Sequence, residues 1–391
     1  MQTWRECKLG DVINLKRGYD LPRQNRTPGP FPIVSSSGVT DYHEQARVKG
    51  PGVVTGRYGT LGEVFYIQDD FWPLNTSLYV QDFKGNDPKF ISYFLRQLNF
   101  ATRNAAGAVP GVNRNHLHAM KVLVPPLTVQ RRIAGILSVY DDLIENNQRR
   151  IKILEEMARS LYREWFVNFR FPGHEKVPLV ASPLGNIPEG WLLPFADHVD
   201  FKEGPGLRNW QYRNEGIPFL NIRTLVDNDI DLSKVQFLDP KEVDDKYQHF
   251  LLREHDHVVS SSGTIGRIVT IRAEHLPLML NTSIIRMRPQ GKRIGCWQLK
   301  HFMLSDYFQD QANSFAIGAA QPNFGPIHLK QMMIIAPNER IAAEYERLVG
   351  PVELAILSLA NQIHNLRRTR DLLLPRLLSG QVELPGTEAA A

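Results

Sequence analysis

Two loops of this 391-residue chain interleave arginine, asparagine and glutamine with aromatic residues. The first reads "KRGYDLPRQNR" from Lys16, and the second reads "GLRNWQYRNEG" from Gly206. Side chains of these polar types read base edges through paired hydrogen bonds in a DNA major groove and grip the phosphates beside it. One such loop alone is more readily a polar surface loop, but the occurrence of two favours nucleic-acid binding.

A pair of glycine-rich turns indicates that the two loops belong to a repeat. "GRYGTLG" at Gly56–Gly62 and "SSGTIGR" at Ser261–Arg267 are each followed by the tripeptide "NTS". Further on, "AAGAVPGVNRNHL" from Ala105 matches "AIGAAQPNFGPIHL" from Ala316. Self-similarity of this length, with its order kept, predicts two copies of one fold in a single polypeptide. The two polar loops occupy equivalent places in these copies.

The elements that position these loops follow from the hydrophobic pattern. Residues 1–125 and 187–337 read as short β-branched strands broken by glycine and proline turns, with short helices between them, which predicts an α+β fold. A long helix follows each part. Apolar residues spaced alternately by four and three form one seam from Ile133 to Trp165 and another from Tyr345 to Leu377. Two heptad seams in one chain predict an intramolecular coiled coil and a pseudo-two-fold arrangement.

Asn147 and Pro351 stand out in the two predicted long helices. Asn147 interrupts the first seam and is interpreted as a residue that fixes register. Pro351 is expected in the first turn of the second helix, where proline is tolerated.

The repeat and the seams predict the boundaries of the domains. These are a first domain at 1–126, a central helix at 127–170, a linker at 171–190, a second domain at 191–338, a carboxy-terminal helix at 339–380 and a tail at 381–391.

The chain contains no pattern that favours catalysis. "GRYGTLG" is followed by a predicted strand rather than a helix, so it does not fit a phosphate-binding loop for a nucleotide or methyl donor. Asp239, Asp244 and Lys246 could form the magnesium site of an autonomous nuclease, although this run has no counterpart in the first copy. That nuclease and a coiled-coil scaffold without a nucleic-acid role are the alternatives. Neither catalytic residues nor a metal site are predicted.

The composition favours a cytoplasmic protein. The chain begins with charged residues where a secretory leader would be apolar, and no run approaches the ~18 apolar residues of a membrane span. We therefore expect no membrane partner. The net charge is +5. A basic surface presented to a polyanion is compatible with this charge.

Five segments in combination resemble the specificity (S) subunits of Type I restriction-modification systems. They are "SGTIGR" with "NTS" downstream, "GAAQPNF", "IPEGW", "ENNQRRIKILEEMARSLYREWFVNFRFPG" and the closing "LLLPRLLSGQVEL". The resemblance implies two target-recognition domains separated by two antiparallel helices. Each domain would read one half of a bipartite, asymmetric DNA site, and the helices would set the gap between the halves.

The same resemblance implies that this chain is non-catalytic and carries no cofactor of its own. It would hold two modification subunits, which bind S-adenosylmethionine and methylate adenine. Two restriction subunits would add ATP-dependent nuclease and translocase activity, with ATP and Mg²⁺ on the partner subunits.

Candidate DNA contacts are polar residues in and around the repeated loops and turns. In the first domain they are Arg17, Tyr19, Arg23, Gln24, Asn25, Arg26, Arg57, Tyr58, Asn113 and Arg114. In the second domain they are Arg208, Asn209, Gln211, Arg213, Arg223, Ser262, Arg267, Gln321 and Asn323. Gly59, Gly62, Gly263 and Gly266 are interpreted as scaffold residues, needed where the backbone takes a positive φ or passes close to another backbone.

Three aromatic residues at the end of the first seam are candidates for partner binding. Tyr162, Phe166 and Phe169 lie off the heptad positions, and exposed aromatic residues on a helix indicate an interface. The alternative is that they cover the adjacent recognition domain.

Overall fold

The computed structural model describes residues 4–58, 60, 62–98, 112–226, 228–315 and 323–382. The first of its two compact units comprises the described residues of Met1–Asn147 and Gln362–Ala391. The second comprises those of Gln148–Asn361. Each unit therefore contains strands, short helices and parts of both long helices. Residues 383–391 of the predicted tail lie outside the described residues.

The first unit opens with short elements in this order: β1 (Arg5–Lys8), α1 (Leu9–Val12), β2 (Asn14–Arg17), β3 (Phe31–Ser35), β4 (Gly38–His43), β5 (Gly52–Gly56), β6 (Val64–Ile67), β7 (Trp72–Pro73), β8 (Ser77–Asp82), α2 (Pro88–Gln97), α3 (Arg114–His118) and β9 (Lys121–Val124).

A four-stranded antiparallel sheet with the order β2-β8-β5-β6 forms the centre of the first unit. Every residue of β5 is buried, so its "GVVTG" sequence is continuously apolar or small rather than alternating. A separate sheet has the order β4-β3-β7, and β1 pairs with β9.

Helix α2 covers the central sheet because its sequence specifies both its start and its buried face. Asp87 caps the amino terminus by accepting a hydrogen bond from the Phe90 backbone N–H at 2.8 Å, and Pro88 occupies the first turn. A cap of this kind contributes about 1 kcal/mol. Phe90, Ile91 and Phe94 are buried in the same core as strand residue Val53.

The elements after the first long helix are β10 (Leu179–Ser182), β11 (Gly185–Pro188), β12 (Leu192–Pro194), α5 (Phe195–His198), β13 (Val199–Glu203), β14 (Ile217–Phe219), β15 (Leu225–Val226), β16 (Asp229–Ile230), β17 (Gln236–Leu238), α6 (Pro240–Glu242), β18 (His257–Ser260), β19 (Ile268–Thr270), β20 (Ile284–Pro289), α7 (Cys296–Leu304), α8 (Asp306–Ser314), α9 (Pro326–Leu329) and β21 (Met333–Ile335). The long helices themselves are α4 (Leu127–Tyr162) and α10 (Glu339–Leu378).

The second unit repeats the central sheet of the first. Its antiparallel order is β13-β20-β18-β19, with each strand in the place of β2, β8, β5 and β6. The pair β12–β21 likewise repeats β1–β9. The units differ beside the sheet, where the second has the pairs β14–β17 and β15–β16 instead of the β4-β3-β7 sheet. The predicted α+β class and the duplicated fold are confirmed.

Parts of α4 and α10 pack antiparallel within the first unit. Asn147 is 6% exposed and donates from Nδ2 to Oε1 of Gln362 at 3.2 Å. Nearer the start of α4, Asp141 accepts a hydrogen bond from Arg370 Nη1 at 2.6 Å. The residue numbers of α4 therefore fall from 147 to 141 while those of the facing residues in α10 rise from 362 to 370, so the two helices run antiparallel. The buried amide of Asn147 thus has a polar partner on α10, which is compatible with a role in fixing register.

Other parts of the same helices pack within the second unit. Tyr345 of α10 is fully buried, and the centroid of its ring lies 5.6 Å from that of Trp165. A buried polar network ties α10 to α7: His301 bonds to Tyr345 Oη at 2.7 Å and to Glu353 Oε1 at 2.8 Å, and Lys300 pairs with Glu353. Burial opposes ionisation of Glu353, but the His301 hydrogen bond and the Lys300 charge outweigh it and lower the pKa of Glu353 to about 2.

The expectation for Pro351 is wrong, because α10 begins at Glu339 and continues through the proline. A proline inside a helix removes one backbone donor and costs ~3 kcal/mol. Val349 and Ile356 on either side are buried, so packing offsets this cost.

The helices within the described ranges include none with the length and apolar content of a membrane span.

Candidate nucleic-acid interface

A cavity of about 540 Å³ in the first unit collects residues from three elements. Arg17 ends β2, Arg57 and Tyr58 follow β5 directly, and Asn113 and Arg114 lie at the start of α3. All five are candidate DNA contacts that the sequence places far apart in the chain. The fold brings them to one site.

Two apolar residues complete the lining of this cavity and were not predicted. They are Leu78, at the start of β8, and Val112, just before Asn113. Their positions in the sequence could have indicated them as lining residues, because Leu78 follows the "NTS" tripeptide directly and Val112 lies inside the repeated segment that contains Asn113.

Backbone hydrogen bonds hold the three parts of the cavity together. The Arg57 N–H donates to the carbonyl of Thr76 in "NTS" at 2.9 Å. The Val112 N–H donates to the Arg57 carbonyl at 2.9 Å. The residue after β5 is therefore fixed on both sides, and the Arg57 side chain projects from a rigid backbone.

The second unit contains the same junction with different side chains. The Ser261 N–H donates to the carbonyl of Ser283 in the second "NTS" at 2.9 Å, and the Phe324 N–H donates to the Ser261 carbonyl at 3.0 Å. Ser262 and Asn323 form an isolated β-bridge beside it. The candidates Ser262 and Asn323 are thus neighbours. Gln321 lies outside the described residues.

The glycines in the two turns have the backbone role that the sequence predicted. Gly62, Gly263 and Gly266 have φ of +88°, +67° and +81°. Such positions favour glycine because other residues meet a steric penalty there. Gly59 lies outside the described residues.

Positive charge dominates the cavity of the first unit. The Arg57 guanidinium lies 4.6 Å from the centroid of the Tyr58 ring, and Tyr58 is 40% exposed. Arg17 forms an exposed ion pair with Asp20 at 3.7 Å. Within the described part of the chain, neither Arg57 nor Arg114 forms an ion pair with a carboxylate. Arginines without carboxylate partners beside an exposed aromatic ring suit phosphates and bases.

The loop after β2 presents only some of its candidate residues. Arg23, Gln24 and Asn25 form an exposed 3₁₀ turn. Arg26 is half-buried, and its guanidinium bonds to Asp41 at 3.2 Å and to the Leu21 carbonyl at 3.4 Å. Arg26 therefore braces the loop.

Tyr19, in the same loop, is half-buried and bonds to the hydroxyl of Tyr79 at 3.0 Å. The Arg47 guanidinium lies 5.4 Å from the centroid of its ring. The hydrogen bond with Tyr79 lowers the pKa of Tyr19 despite the opposing effect of burial, and the charges of Lys16 and Arg47 lower it further. Tyr19 thus anchors the loop to the central sheet.

The equivalent loop of the second unit corrects one expectation. Arg208, Asn209 and Arg213 are exposed. Gln211 is 4% exposed, and its Oε1 accepts from the Arg208 N–H at 2.9 Å while its Nε2 donates to Glu242 at 2.8 Å. The prediction of Gln211 as a DNA contact is wrong, because both ends of its amide are used inside the protein.

Two further candidate residues lie near one another in the second unit. Arg223 is exposed on the 3₁₀ turn Ile222–Thr224. Arg267 is also exposed and donates from Nη1 to the carbonyl of Leu225 at 2.9 Å, immediately after that turn. The hydrogen bond fixes the Arg267 guanidinium beside β15.

The expectation of exposed aromatic residues at the end of α4 is wrong. Tyr162 and Phe166 are 7% and 2% exposed, and Phe169 is half-buried. The Phe166 ring lies 4.9 Å from that of Tyr345 and 6.1 Å from that of Trp191. These residues belong to the core of the second unit, as the alternative interpretation held. The heptad pattern did not predict the burial of these rings, because it describes one face of the helix and the domain packs on a second face.

The residues of the alternative nuclease site have local structural roles. Asp239 caps α6 by accepting from the Lys241 N–H at 2.9 Å, and Asp244 and Lys246 lie in the following helical turn. Of the described residues, no group of three or more histidine, cysteine, aspartate or glutamate side chains could hold a metal ion.

Comparison with known proteins identifies related chains. Residues 1–156 match the family model described as "Type I restriction modification DNA specificity domain". The Type I restriction enzyme MjaVIII specificity subunit of Methanocaldococcus jannaschii is 24% identical over 98% of this chain and 94% of its own. The HindI specificity subunit of Haemophilus influenzae is 22% identical over 98% of this chain and 100% of its own. The crystal structure of the Type I S subunit from M. genitalium shares the fold, with a TM-score of 0.62, 16% identity and 96% coverage of both chains.

Arg57 and Arg114, which line the cavity, are expected to bind DNA phosphates. Replacing Arg57 and Arg114 by glutamine should weaken binding to duplex DNA and make it less dependent on salt. The slope of log K against log [salt] should become shallower by about 0.9 for each phosphate that the variant no longer neutralises. Filter binding of the full chain at several salt concentrations measures this slope.

The matched control is Arg131→Gln, which removes an exposed charge from α4 in the same unit. It should leave the slope at the wild-type value. An unchanged slope in the Arg57/Arg114 variant would show that the cavity does not bind phosphates.

Proposed function

We propose that the chain is a specificity subunit of a Type I restriction-modification system and that it reads a bipartite, asymmetric DNA site, because it is similar to such subunits over 98% of its length and its residues 1–156 match the DNA specificity domain. One half-site would be read by each unit. The observation that carries this proposal is the cavity of the first unit, where five separately predicted polar and aromatic residues meet. The second unit supports it by repeating the same sheet and the same backbone junction.

The asymmetry of the site follows from the differences between the units. At the junction, the positions that Arg57 and Tyr58 occupy in the first unit are occupied by Ser261 and Ser262 in the second. Arginine and serine side chains differ in charge, reach and hydrogen-bonding capacity, so they favour different contacts. Two units that share one scaffold but differ in their contact residues would recognise two different half-sites.

The chemistry of the complete system would belong to partner subunits. We propose that two methyltransferase subunits bring S-adenosylmethionine and that two restriction subunits bring ATP-dependent cleavage with Mg²⁺. This chain would contribute target recognition and assembly without catalysis.

The long helices would set the gap between half-sites, and a paired insertion tests this function. Seven residues inserted after Asn147 and seven after Asn361 keep the packing within each unit, including Asn147 with Gln362 and Trp165 with Tyr345. At ~1.5 Å per residue each helix lengthens by ~10 Å, which is at most about 3 base pairs.

With partner subunits present, both half-sites should stay methylated and the gap should widen. Methylome sequencing of a host that expresses the variant system measures the gap. A matched control inserts seven residues in α4 alone, which shifts the two seams against each other and should abolish assembly. Methylation at the original spacing in the paired variant would contradict the proposed role of the helices.

Exposed apolar residues on α4 are the best candidates for docking the methyltransferase subunits. In the first unit, Val139 and Leu143 are 55% and 47% exposed; in the second, Ile153 and Met157 are 61% and 56% exposed. Each pair is separated by four residues and so lies on one side of the helix. Apolar residues exposed in this way indicate an interface.

Docking at these pairs predicts a specific loss of assembly. Val139→Ser with Leu143→Ser, and Ile153→Ser with Met157→Ser, should each reduce co-purification of the methyltransferase subunit. The thermal midpoint of the chain should change little, because these side chains are largely in solvent. Leu179→Ser, at a residue that is 57% exposed on β10, is the matched control and should leave assembly intact. Full co-purification by both double variants would place the docking surface elsewhere.

A further inference from the structure

The most exposed tryptophan of the chain lies in the polar loop of the second unit. Trp210 is 74% exposed, whereas the other five tryptophans are buried or half-buried. It stands between Asn209 and Gln211 in a 3₁₀ turn. Leaving so large an apolar side chain in water is unfavourable, and tryptophan is enriched where partners bind.

Contacts of the neighbouring residues hold the turn that contains Trp210 in place. Gln211 next to it is buried and bonds to Glu242 at 2.8 Å and to Tyr247 at 3.2 Å. On the other side, the Tyr212 ring packs against Phe219 with a centroid distance of 5.2 Å. The indole is therefore presented by an ordered backbone, and binding through it would require little further ordering.

Arg213 adds a second brace and a positive charge. Its backbone N–H donates to the Phe237 carbonyl at 2.8 Å, and its Nη1 donates to the carbonyls of Trp210 and Tyr212 at 3.0 and 3.1 Å. Within "GLRNWQYRNEG", Arg208 and Arg213 outnumber the single acidic residue, Glu215. Arginines on either side of an exposed aromatic ring suit a polyanion that carries bases.

The first unit has the same turn with a different residue at its centre. The 3₁₀ turn Arg23–Asn25 lies between β2 and β3, as Asn209–Gln211 lies between β13 and β14. Gln24 is the central residue of the first turn and is exposed. An amide suits hydrogen bonds to a base edge, whereas an indole suits packing on the face of a base.

We propose that Trp210 packs its indole against a base in the half-site read by the second unit, inserting at a base step that it partly unstacks. Gln24, at the equivalent place in the first unit, contacts a base edge of the other half-site instead. This inference rests on the proposed DNA-reading function and adds the chemistry by which the two readers differ. Apolar side chains inserted between base steps in this way distort the duplex, and the additional protein surface that then packs on the DNA offsets the unstacking.

The test uses the full chain with its methyltransferase subunits and duplex DNA carrying 2-aminopurine at each position of the second half-site in turn. With wild-type chain, fluorescence at the position beside the inserted indole should change on binding, because stacking on the neighbouring base is replaced by stacking on the indole. Trp210→Ala should lose this change and bind the specific duplex about 5- to 150-fold more weakly. The salt slope should stay unchanged, because the indole carries no charge.

Two further variants are compared with Trp210→Ala in the same binding measurements. Trp210→Phe retains an aromatic face and should recover most of the affinity. Gln24→Ala is the matched control at the equivalent turn: it should weaken binding while leaving the 2-aminopurine signal of the second half-site intact. The thermal midpoint of Trp210→Ala should equal that of the wild type, because the side chain is largely in solvent.

Each contrary outcome has a distinct meaning. Specific binding by Trp210→Ala within twofold of wild type, or an unaltered 2-aminopurine signal, overturns the inference while the proposed function stands. Loss of methyltransferase co-purification at unchanged DNA affinity overturns it in favour of a protein contact. If the wild-type complex shows no salt-dependent binding to any duplex, the proposed function itself fails and takes the inference with it.

Discussion

Both units depend on the burial of one long helix against another. In the first unit, Ile133 and Leu137 of α4 share a core with Leu377 of α10; in the second, Tyr162 shares one with Tyr345. At about 25 cal/mol for each Å² of apolar surface removed from water, such seams make a major contribution to stability. The hydrogen bond from the buried amide of Asn147 to Gln362 adds specificity, because a shifted register would leave that amide without a partner.

The second constraint is the backbone junction that each sheet makes with the "NTS" tripeptide. Main-chain hydrogen bonds form it, at Arg57 in one unit and at Ser261 in the other. Because the scaffold relies on backbone groups and on glycines with positive φ, the side chains beside it are free to vary. In the proposed function, this separation of scaffold from contact residues would allow one fold to read different DNA sequences.

Much of this architecture was predictable from the sequence, because repeats and heptad patterns report on burial. The α+β class, the duplication and the long helices were correct. Individual side chains were harder, because a polar residue type does not reveal which way it points. Gln211 was expected to contact DNA but braces its own loop, while its neighbour Trp210 is exposed. Phe166 was expected at an interface and lies in a core, because the helix packs on two faces.

Hydroxyl-radical footprinting of the assembled complex on specific duplex DNA can reveal whether the chain carries two separate DNA-recognition units. We expect two protected tracts on the DNA, separated by a less protected gap. Substitution of Arg57 and Arg114 should weaken protection of one tract only, since both line the cavity of the first unit. A single tract, or two tracts that fade equally in this variant, would show that the chain does not carry two separate DNA-recognition units.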